Sequence, residues 1–224
     1  MARHRLCFAK EGRGIYLSHL DLMRTMQRAF QRAGLRIRHT EGFNPHPYIS
    51  VALPLSVGVE SQVELLDFEL ISPADVSLHL LPARLTEKLP QGITVLEAYE
   101  AERKVKEIAW LGIRGVLEYD RVPDMAEMAR ELGAFFGQKE ILVKKRTKKG
   151  EETELDIVPL IKEIQFTPQS PTEIALEMVA AAQNPPLNPG LLLEALRREA
   201  EGLSPDFAMF SRQALYDREM QVFR

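Results

Sequence analysis

The chain has 224 residues, of which 45% are hydrophobic, 27% charged and 7% aromatic, and its net charge is -3. This balance is typical of a globular protein and excludes a disordered, collagen-like or coiled-coil chain. The single cysteine, Cys7, excludes an internal disulfide, and it cannot by itself hold a structural zinc or an iron–sulfur cluster. No apolar run is long enough for a transmembrane helix, so we expect a cytoplasmic protein without membrane contact.

The charge is unevenly distributed along the chain. Residues 1–50 and 104–150 are net basic, whereas residues 51–103 and 151–224 are net acidic. Local patches of charge, more than the overall balance, set the electrostatic field at a binding surface. The two basic segments therefore need an explanation, either as binding surfaces or as solvated faces.

The first half of the sequence predicts seven elements. Ser18 and Asp21 form a capping-box pattern at the start of a helix that ends near Gly34. Alternation predicts a strand over residues 35–40, and Pro82 interrupts a later helical pattern. In chain order the predicted elements are a strand (3–10), a helix (18–34), strands (35–40, 48–53 and 63–71), a helix (73–89) and a strand (93–98). This order approximates the split βαβ, or ferredoxin-like, arrangement.

The second half predicts a similar order with an insertion. The predicted elements are a strand (108–120), a helix with Pro123 in its first turn (123–136), a hairpin (140–146 with 153–160), a strand (173–179), a helix (189–200) and a strand (207–216). We therefore expect an α+β fold made of two tandem ferredoxin-like (split βαβ) domains with antiparallel sheets. The domains would span residues 1–103 and 104–224.

The first candidate site combines the start of the first helix with a proline-rich loop. Its side chains are His19, Asp21, Arg24, Glu41, Asn44 and His46. If the two segments meet, His19, His46 and Glu41 could act in acid–base catalysis, or the group could bind a ligand without catalysis. In the alternative, the same residues only cap the helix and brace the loop. His19 and Asp21 are two positions apart and point apart on a helix, so we expect no metal site.

The second candidate site is a row of arginines. Arg24, Arg28 and Arg32 recur every four residues on one predicted helix face, and Arg36 and Arg38 follow on the next strand. Guanidinium groups suit phosphate, so the row could bind a nucleic-acid backbone. The alternative is a solvated helix face whose positive charge is balanced by the acidic segment 51–103.

The third candidate site is a basic hairpin tip. It carries Lys144, Lys145, Arg146, Lys148 and Lys149. These side chains could contact a nucleic-acid backbone, or they could keep an edge hairpin from aggregating. No aromatic residues are interleaved with them, so we expect recognition by shape more than by base sequence. We expect His4, His39, His79 and Cys7 to be structural.

Three motifs occur in order along the first half. They are Tyr-Leu-Ser-His-Leu-Asp-Leu-Met-Arg at 16–24, Glu-Gly-Phe-Asn-Pro-His-Pro at 41–47 and Leu-Pro-Leu-Ser-Val-Gly-Val-Glu-Ser at 53–61. With these motifs, and with residues 155–161 and 211–216, the sequence resembles the radical SAM-associated (radical SAM-linked) family, a bacterial domain of unknown function. In that family the domain occurs alone or fused behind a radical SAM enzyme.

The resemblance implies a radical SAM partner, which would carry the iron–sulfur cluster and S-adenosylmethionine. We expect no cofactor on this chain, and we expect it to bind or present structured RNA, such as tRNA or rRNA, as an accessory protein without catalytic activity of its own. One alternative is a metal-independent endoribonuclease, or related small enzyme, that uses His19 and His46. Another is a protein-binding adaptor.

Overall fold

The computed structural model describes residues 3–72, 76–120, 124–146 and 152–224. It contains two compact units, which are described separately below. Unit 1 comprises residues 1–107 with Arg224, and unit 2 comprises residues 108–223. In the described parts of the chain, no helix is long and apolar enough to cross a membrane.

Unit 1 is an antiparallel sheet with two α-helices. Its elements are β1 (His4–Lys10), α1 (His19–Arg32), β2 (Ile49–Ala52), β3 (Glu60–Phe68), α2 (Leu81–Thr86) and β4 (Ile93–Glu100). The strands lie in the order β4-β1-β3-β2, and every neighbouring pair is antiparallel. In this register Leu6 of β1 lies opposite Leu66 of β3.

The core of unit 1 lies between the helices and one face of the sheet. Apolar residues of α1 at helical spacing, including Met26 and Phe30, are buried against Phe8 and Phe68. Leu81 of α2 belongs to the same cluster, so both helices cover one sheet face. Helix α1 begins at the Ser18 cap and is followed by Gly34, whose φ of +66° is the left-handed conformation that ends many helices.

Two predicted elements of unit 1 differ in the structure. The predicted strand 35–40 is reduced to isolated bridges at Ile37 and His39, because residues 38–48 fold out as a loop. The helix predicted over 73–89 is a 3-10 turn (Leu78–Leu80) followed by α2, and Pro82 lies in the first turn of α2. A proline is tolerated there because the first helical N–H groups have no partner within the helix.

Unit 2 also contains a four-stranded antiparallel sheet with two α-helices. Its elements are β5 (Trp110–Glu118), α3 (Met125–Phe136), β6 (Leu142–Arg146), β7 (Glu152–Asp156), β8 (Ile161–Ser170), β9 (Glu173–Ala181), α4 (Gly190–Glu199) and β10 (Phe207–Tyr216). The order is β10-β5-β9-β8, and β6 pairs with β7 as a separate hairpin. The predicted position of Pro123 lies outside the described residues.

Strand β8 was not predicted from the sequence. It carries few apolar residues and contains Pro168, which argues against a central strand. In the structure β8 is the last strand of the unit 2 order, and its register shifts between Pro168 and Ser170. An edge position with a bulge accommodates the missing proline N–H.

The described residues together form a mixed α+β fold with mostly antiparallel strands and four α-helices.

Candidate nucleic-acid interface

Helix α1 presents a row of exposed arginines on the side away from the core. Arg24, Arg28 and Arg32 are all exposed, as their four-residue spacing predicts. Arg24 contacts Asp21 at 3.4 Å, and Arg32 donates to the carbonyl of Lys88 at 3.2 Å. Among the described residues Arg28 has no ion-pair partner. Arg28 is therefore available to an anion, and the exposed contacts of Arg24 and Arg32 would have to compete with one.

The two arginines after the helix have different surroundings. Arg36 is exposed, and its guanidinium has no partner in the described part of the chain. Arg38 pairs with Glu69 at 3.0 Å, and its guanidinium carbon lies 5.0 Å from the centre of the Tyr48 ring. Arg36 is therefore, like Arg28, an exposed guanidinium without a counter-ion among the described residues, whereas Arg38 is held at the edge of the sheet by Glu69.

The Glu-Gly-Phe-Asn-Pro-His-Pro motif lies on a loop that interrupts the edge of the sheet. Residues 36–38 pair with 69–71, and β2 then continues along β3. Between them the chain folds out and closes on itself: Tyr48 N–H donates to the Arg38 carbonyl, and Thr40 N–H donates to the His46 carbonyl. We call residues 39–47 the edge loop. Its two ends are fixed by the sheet.

His46 is held in one orientation within the edge loop. The Thr40 hydroxyl accepts a hydrogen bond from the His46 backbone N–H at 3.0 Å, and it lies 3.1 Å from Nδ1 of the same ring. The other ring nitrogen, Nε2, has no partner among the described residues. The ring is thus anchored through one nitrogen, which leaves the other for a ligand.

A cavity of about 440 Å³ lies beside β2 and includes His46 in its wall. The other polar side chains around it include those of Arg3, Tyr48, Ser50, Asp67 and Glu69. Both carboxylates are already engaged, because Asp67 is held by Arg5 at 2.6 Å and Glu69 by Arg38. The cavity can therefore accept a polar ligand, but its carboxylates are occupied by structural ion pairs.

The other members of the first candidate site lie elsewhere. His19 is the exposed first residue of α1, and Asp21 accepts a hydrogen bond from the Ser18 hydroxyl at 2.7 Å. Glu41 and Asn44 are exposed on the edge loop. Within the described residues none of these four lines the His46 cavity, and no hydrogen bond joins His19 to His46.

A second cavity of unit 1 was not predicted from the sequence. It measures about 320 Å³ and lies between α1 and the edge of the sheet. Gln27, Gln31, Arg36 and His39 line it together with the side chains of Phe30, Ile49 and Ile71. His39, expected to be structural, is exposed, and its Nδ1 donates to the Ile37 carbonyl at 3.0 Å. Arg36 therefore connects this cavity with the arginine set.

The third sequence motif is joined to the 3-10 turn Gly12–Tyr16, which ends at the first residue of the first motif. Gly58 N–H donates to the Ile15 carbonyl at 3.0 Å, and Gly12 N–H donates to the Glu60 carboxylate at 3.3 Å. Next to these bonds in the chain, Tyr16 and Val57 are 70% and 56% exposed, and Leu20 is 64% exposed. Large exposed apolar side chains close to one another mark candidate partner surfaces.

The remaining predicted residues are those of the basic hairpin tip, Cys7 and His79. Lys144 is exposed on β6, whereas Lys148, Lys149 and the side chains of Lys145 and Arg146 lie outside the described residues. Cys7 is partly buried in β1, and His79 contacts the Ser77 hydroxyl at 2.8 Å. Among the residues that the structure describes, no group of three His, Cys, Asp or Glu side chains could hold a metal ion.

The fold and surface define an α+β protein with an exposed cationic helix face. The chain belongs to the family described as "Uncharacterized protein conserved in bacteria (DUF2344)", whose model matches residues 3–189. A comparison with curated proteins gave no match.

Two solved structures are similar to this chain at low sequence identity. One is a candidate glycine cleavage system transcriptional repressor, 12% identical, with 95% of this chain and 99% of that chain covered and a TM-score of 0.27. The other is an unknown protein from Galdieria sulphuraria, also 12% identical, with 94% and 98% covered and a TM-score of 0.24. TM-scores this low indicate nothing about function.

Proposed function

We propose that this protein binds structured RNA through the cationic face of α1 and presents it, as an accessory protein, to a radical SAM enzyme. The observation that carries the proposal is the exposed arginine set. Arg28 and Arg36 are exposed without a counter-ion among the described residues, and Arg24 and Arg32 are exposed on the same helix. Exposed guanidinium groups in a row match the repeated charge of a phosphate backbone.

The surroundings of the arginine set favour recognition of the backbone by shape. The cavity beside Arg36 offers the amides of Gln27 and Gln31, which could contact ribose or a base edge. The aromatic residue between the arginines in sequence, Phe30, is buried in the core of unit 1 and does not offer an exposed ring for a base. Backbone contacts position a nucleic acid without reading its sequence, so we expect tRNA and rRNA fragments to bind with modest selectivity.

The strand orders support two tandem ferredoxin-like domains, and we propose that the protein acts in the cytoplasm. In unit 1 the order β4-β1-β3-β2 corresponds to 4-1-3-2 when strands are numbered within the unit. In unit 2 the order β10-β5-β9-β8 is also 4-1-3-2 when the β6–β7 hairpin is counted as an insertion and left out of the numbering. In both units one helix follows the strand numbered 1 along the chain and another follows the strand numbered 3. Fold analogy alone is a weak guide to function, so the proposal rests on the surface.

The radical SAM partner is proposed from the resemblance of the sequence motifs. The exposed side chains of Tyr16, Leu20 and Val57 support a protein partner, because they belong to or adjoin two of those motifs and lie on unit 1. If the chain were only a protein-binding adaptor, this surface would be sufficient and the arginines would not be required.

A second candidate function is RNA cleavage by His46 with His19. It is favoured by one observation: Nδ1 of His46 is anchored by the edge loop, which leaves Nε2 beside a cavity. An endoribonuclease of this kind would need no metal and would use the two imidazoles as general acid and base. Cleavage of RNA by the purified chain, lost in His46→Ala, would support this second function.

The proposed function is tested by removing the two unpaired guanidinium groups. We expect Arg28→Ala with Arg36→Ala to weaken binding of tRNA and to reduce the slope of log affinity against log salt by about 1.4 to 1.8, because about 0.7 to 0.9 is lost per phosphate contact. The matched control replaces Arg130 and Arg197, which are exposed on unit 2 and give the same net charge. Equal slopes for the double variant and the parent would overturn the assignment.

A further inference from the structure

One face of the unit 2 sheet carries a depression of about 610 Å³ that the sequence did not predict. Its floor follows one row of the sheet, in which Gly112 of β5 lies opposite Ala214 of β10 and Val179 of β9. These are small side chains. A Cβ at position 112 would lie 3.1 Å from a ring carbon of Tyr216, so the glycine leaves room for that ring.

One wall of the depression is aromatic. Tyr216 lines the depression, and its strand partner directly opposite is Trp110. Directly opposed residues of an antiparallel pair project from the same sheet face. Trp110, Gly112 and Arg114 also share that face, because they alternate along β5. The phenol of Tyr216 therefore forms the aromatic wall, and the indole of Trp110 lies on the same sheet face beside it, with Nζ of Lys162 5.0 Å from the centre of the indole ring.

The opposite wall carries hydrogen-bonding groups whose charge is nearly balanced. Arg114 pairs with Glu177 at 3.0 Å, and both side chains are well exposed. Gln165 lies opposite Glu177 in the register, and the Gln213 amide donates to the Ser211 hydroxyl at 2.8 Å. Each glutamine amide can both donate and accept, so this wall matches a group with donors and acceptors on one edge.

The charge of the lining disfavours phosphate. The Arg114 charge is balanced by Glu177, and Glu163 adds a carboxylate that has no counter-ion among the described residues. A ligand for this depression is therefore flat enough to lie against an aromatic wall, uncharged and able to form hydrogen bonds along an edge. Nucleobases have these three properties, and they stack on aromatic side chains in many proteins.

We propose that this depression binds a nucleobase, carried either by single-stranded RNA or by a free nucleoside. A volume of this size falls in the range of small-molecule sites. The inference goes beyond the proposed function and does not require it, because it uses only unit 2 and none of the arginines of α1. Gln165 and Gln213 select the ligand through hydrogen bonds, and Tyr216 supports its ring.

The chain contains its own reporter for this site. Trp110 is the only tryptophan, so its fluorescence reports on this sheet face without interference from another indole. We expect the full-length chain to show a saturable change in fluorescence with at least one of the nucleosides adenosine, guanosine, cytidine and uridine, or with a short single-stranded RNA. Equal affinity for nucleoside and RNA assigns the site to free nucleosides, whereas much tighter RNA binding assigns it to bases of RNA; both outcomes support the proposal.

Variants decide whether the response comes from the depression. We expect Gln165→Ala with Gln213→Ala to weaken binding about tenfold, since two hydrogen bonds are lost. Gln138→Ala, an exposed glutamine elsewhere in unit 2, should bind as the parent does. Arg28→Ala with Arg36→Ala should leave nucleoside binding unchanged, which separates this inference from the proposed function. Any one of three results would overturn the proposal. They are a fluorescence change with ribose 5-phosphate equal to that with nucleosides, parental affinity in the double glutamine variant, and no fluorescence change with any nucleoside or RNA.

Discussion

The ion pair between Arg5 and Asp67 is a strong test of how unit 1 is held together. Arg5 is 1% exposed and Asp67 is 8% exposed. Nε of Arg5 donates to Oδ1 of Asp67 at 2.6 Å, and Nη2 donates both to Oδ2 at 3.1 Å and to the carbonyl of Arg103 at 3.0 Å. This pair joins β1 to β3 beneath the His46 cavity, because Asp67 also lines that cavity.

Replacing Asp67 by asparagine keeps the shape of the side chain and removes its charge. The buried guanidinium then loses its carboxylate, and the new amide N–H₂ faces a donor. Breaking a buried pair in this way costs about 3 to 5 kcal/mol, which is a large part of the stability of an ordinary domain. At a urea dependence of about 2 kcal/mol per molar, the unfolding midpoint should fall by about 2 M.

The assay is urea unfolding followed by circular dichroism, with two comparison variants. Glu177→Gln breaks the exposed pair with Arg114 and should cost less than about 1 kcal/mol. Arg5→Met combined with Asp67→Leu should be more stable than Asp67→Asn, because no uncompensated charge remains in the interior. A loss below about 1 kcal/mol in Asp67→Asn would refute the reasoning that this pair is buried and essential.

Three further predictions concern single side chains of unit 1. Burial lowers the pKa of His4 from 6.5, with Glu100 acting in the opposite direction. As the pH falls, the unfolded chain therefore binds a proton at this histidine before the folded chain does, so the free energy of unfolding falls as the pH drops below about 6.5. Urea unfolding at two pH values should show a smaller loss of stability at the lower pH in His4→Phe than in the parent. Ser18→Ala removes the acceptor for Asp21 N–H and should cost about 1 kcal/mol by the same assay, with an unchanged midpoint as the contrary result. Burial also raises the pKa of Tyr99 to about 12, and its hydroxyl has no hydrogen-bond partner among the described residues. Tyr99→Phe should therefore keep or increase the free energy of unfolding, and a loss above about 1 kcal/mol would contradict this account.

Elements with strong local signals could be predicted from the sequence. Helix α1 combines a Ser18 cap, apolar residues at helical spacing and Gly34 after its end, and the structure places each of these as expected. The exposure of Arg24, Arg28 and Arg32 follows from the same periodicity. Strand β10 has the predicted bounds, Phe207–Tyr216.

Features that depend on tertiary pairing could not be predicted in this way. The strand expected over residues 35–40 was wrong because its hydrogen bonds are divided between residues 69–71 and the edge loop. Strand β8 escaped prediction because Pro168 is acceptable only at a sheet edge, and edge position is a property of the whole sheet. The depression at Gly112 depends on residues from four strands, of which only Gln213 and Tyr216 lay in a motif noted in the sequence.

Binding of structured RNA by the unmodified chain tests the central claim most directly. Purified protein is titrated with tRNA and with rRNA fragments between about 50 and 200 mM salt, and the recovered RNA is inspected for cleavage. The account predicts binding that weakens steeply with salt and leaves the RNA intact, because arginines contact phosphates and the chain acts as an accessory protein. Absence of binding even at the lowest salt would contradict it.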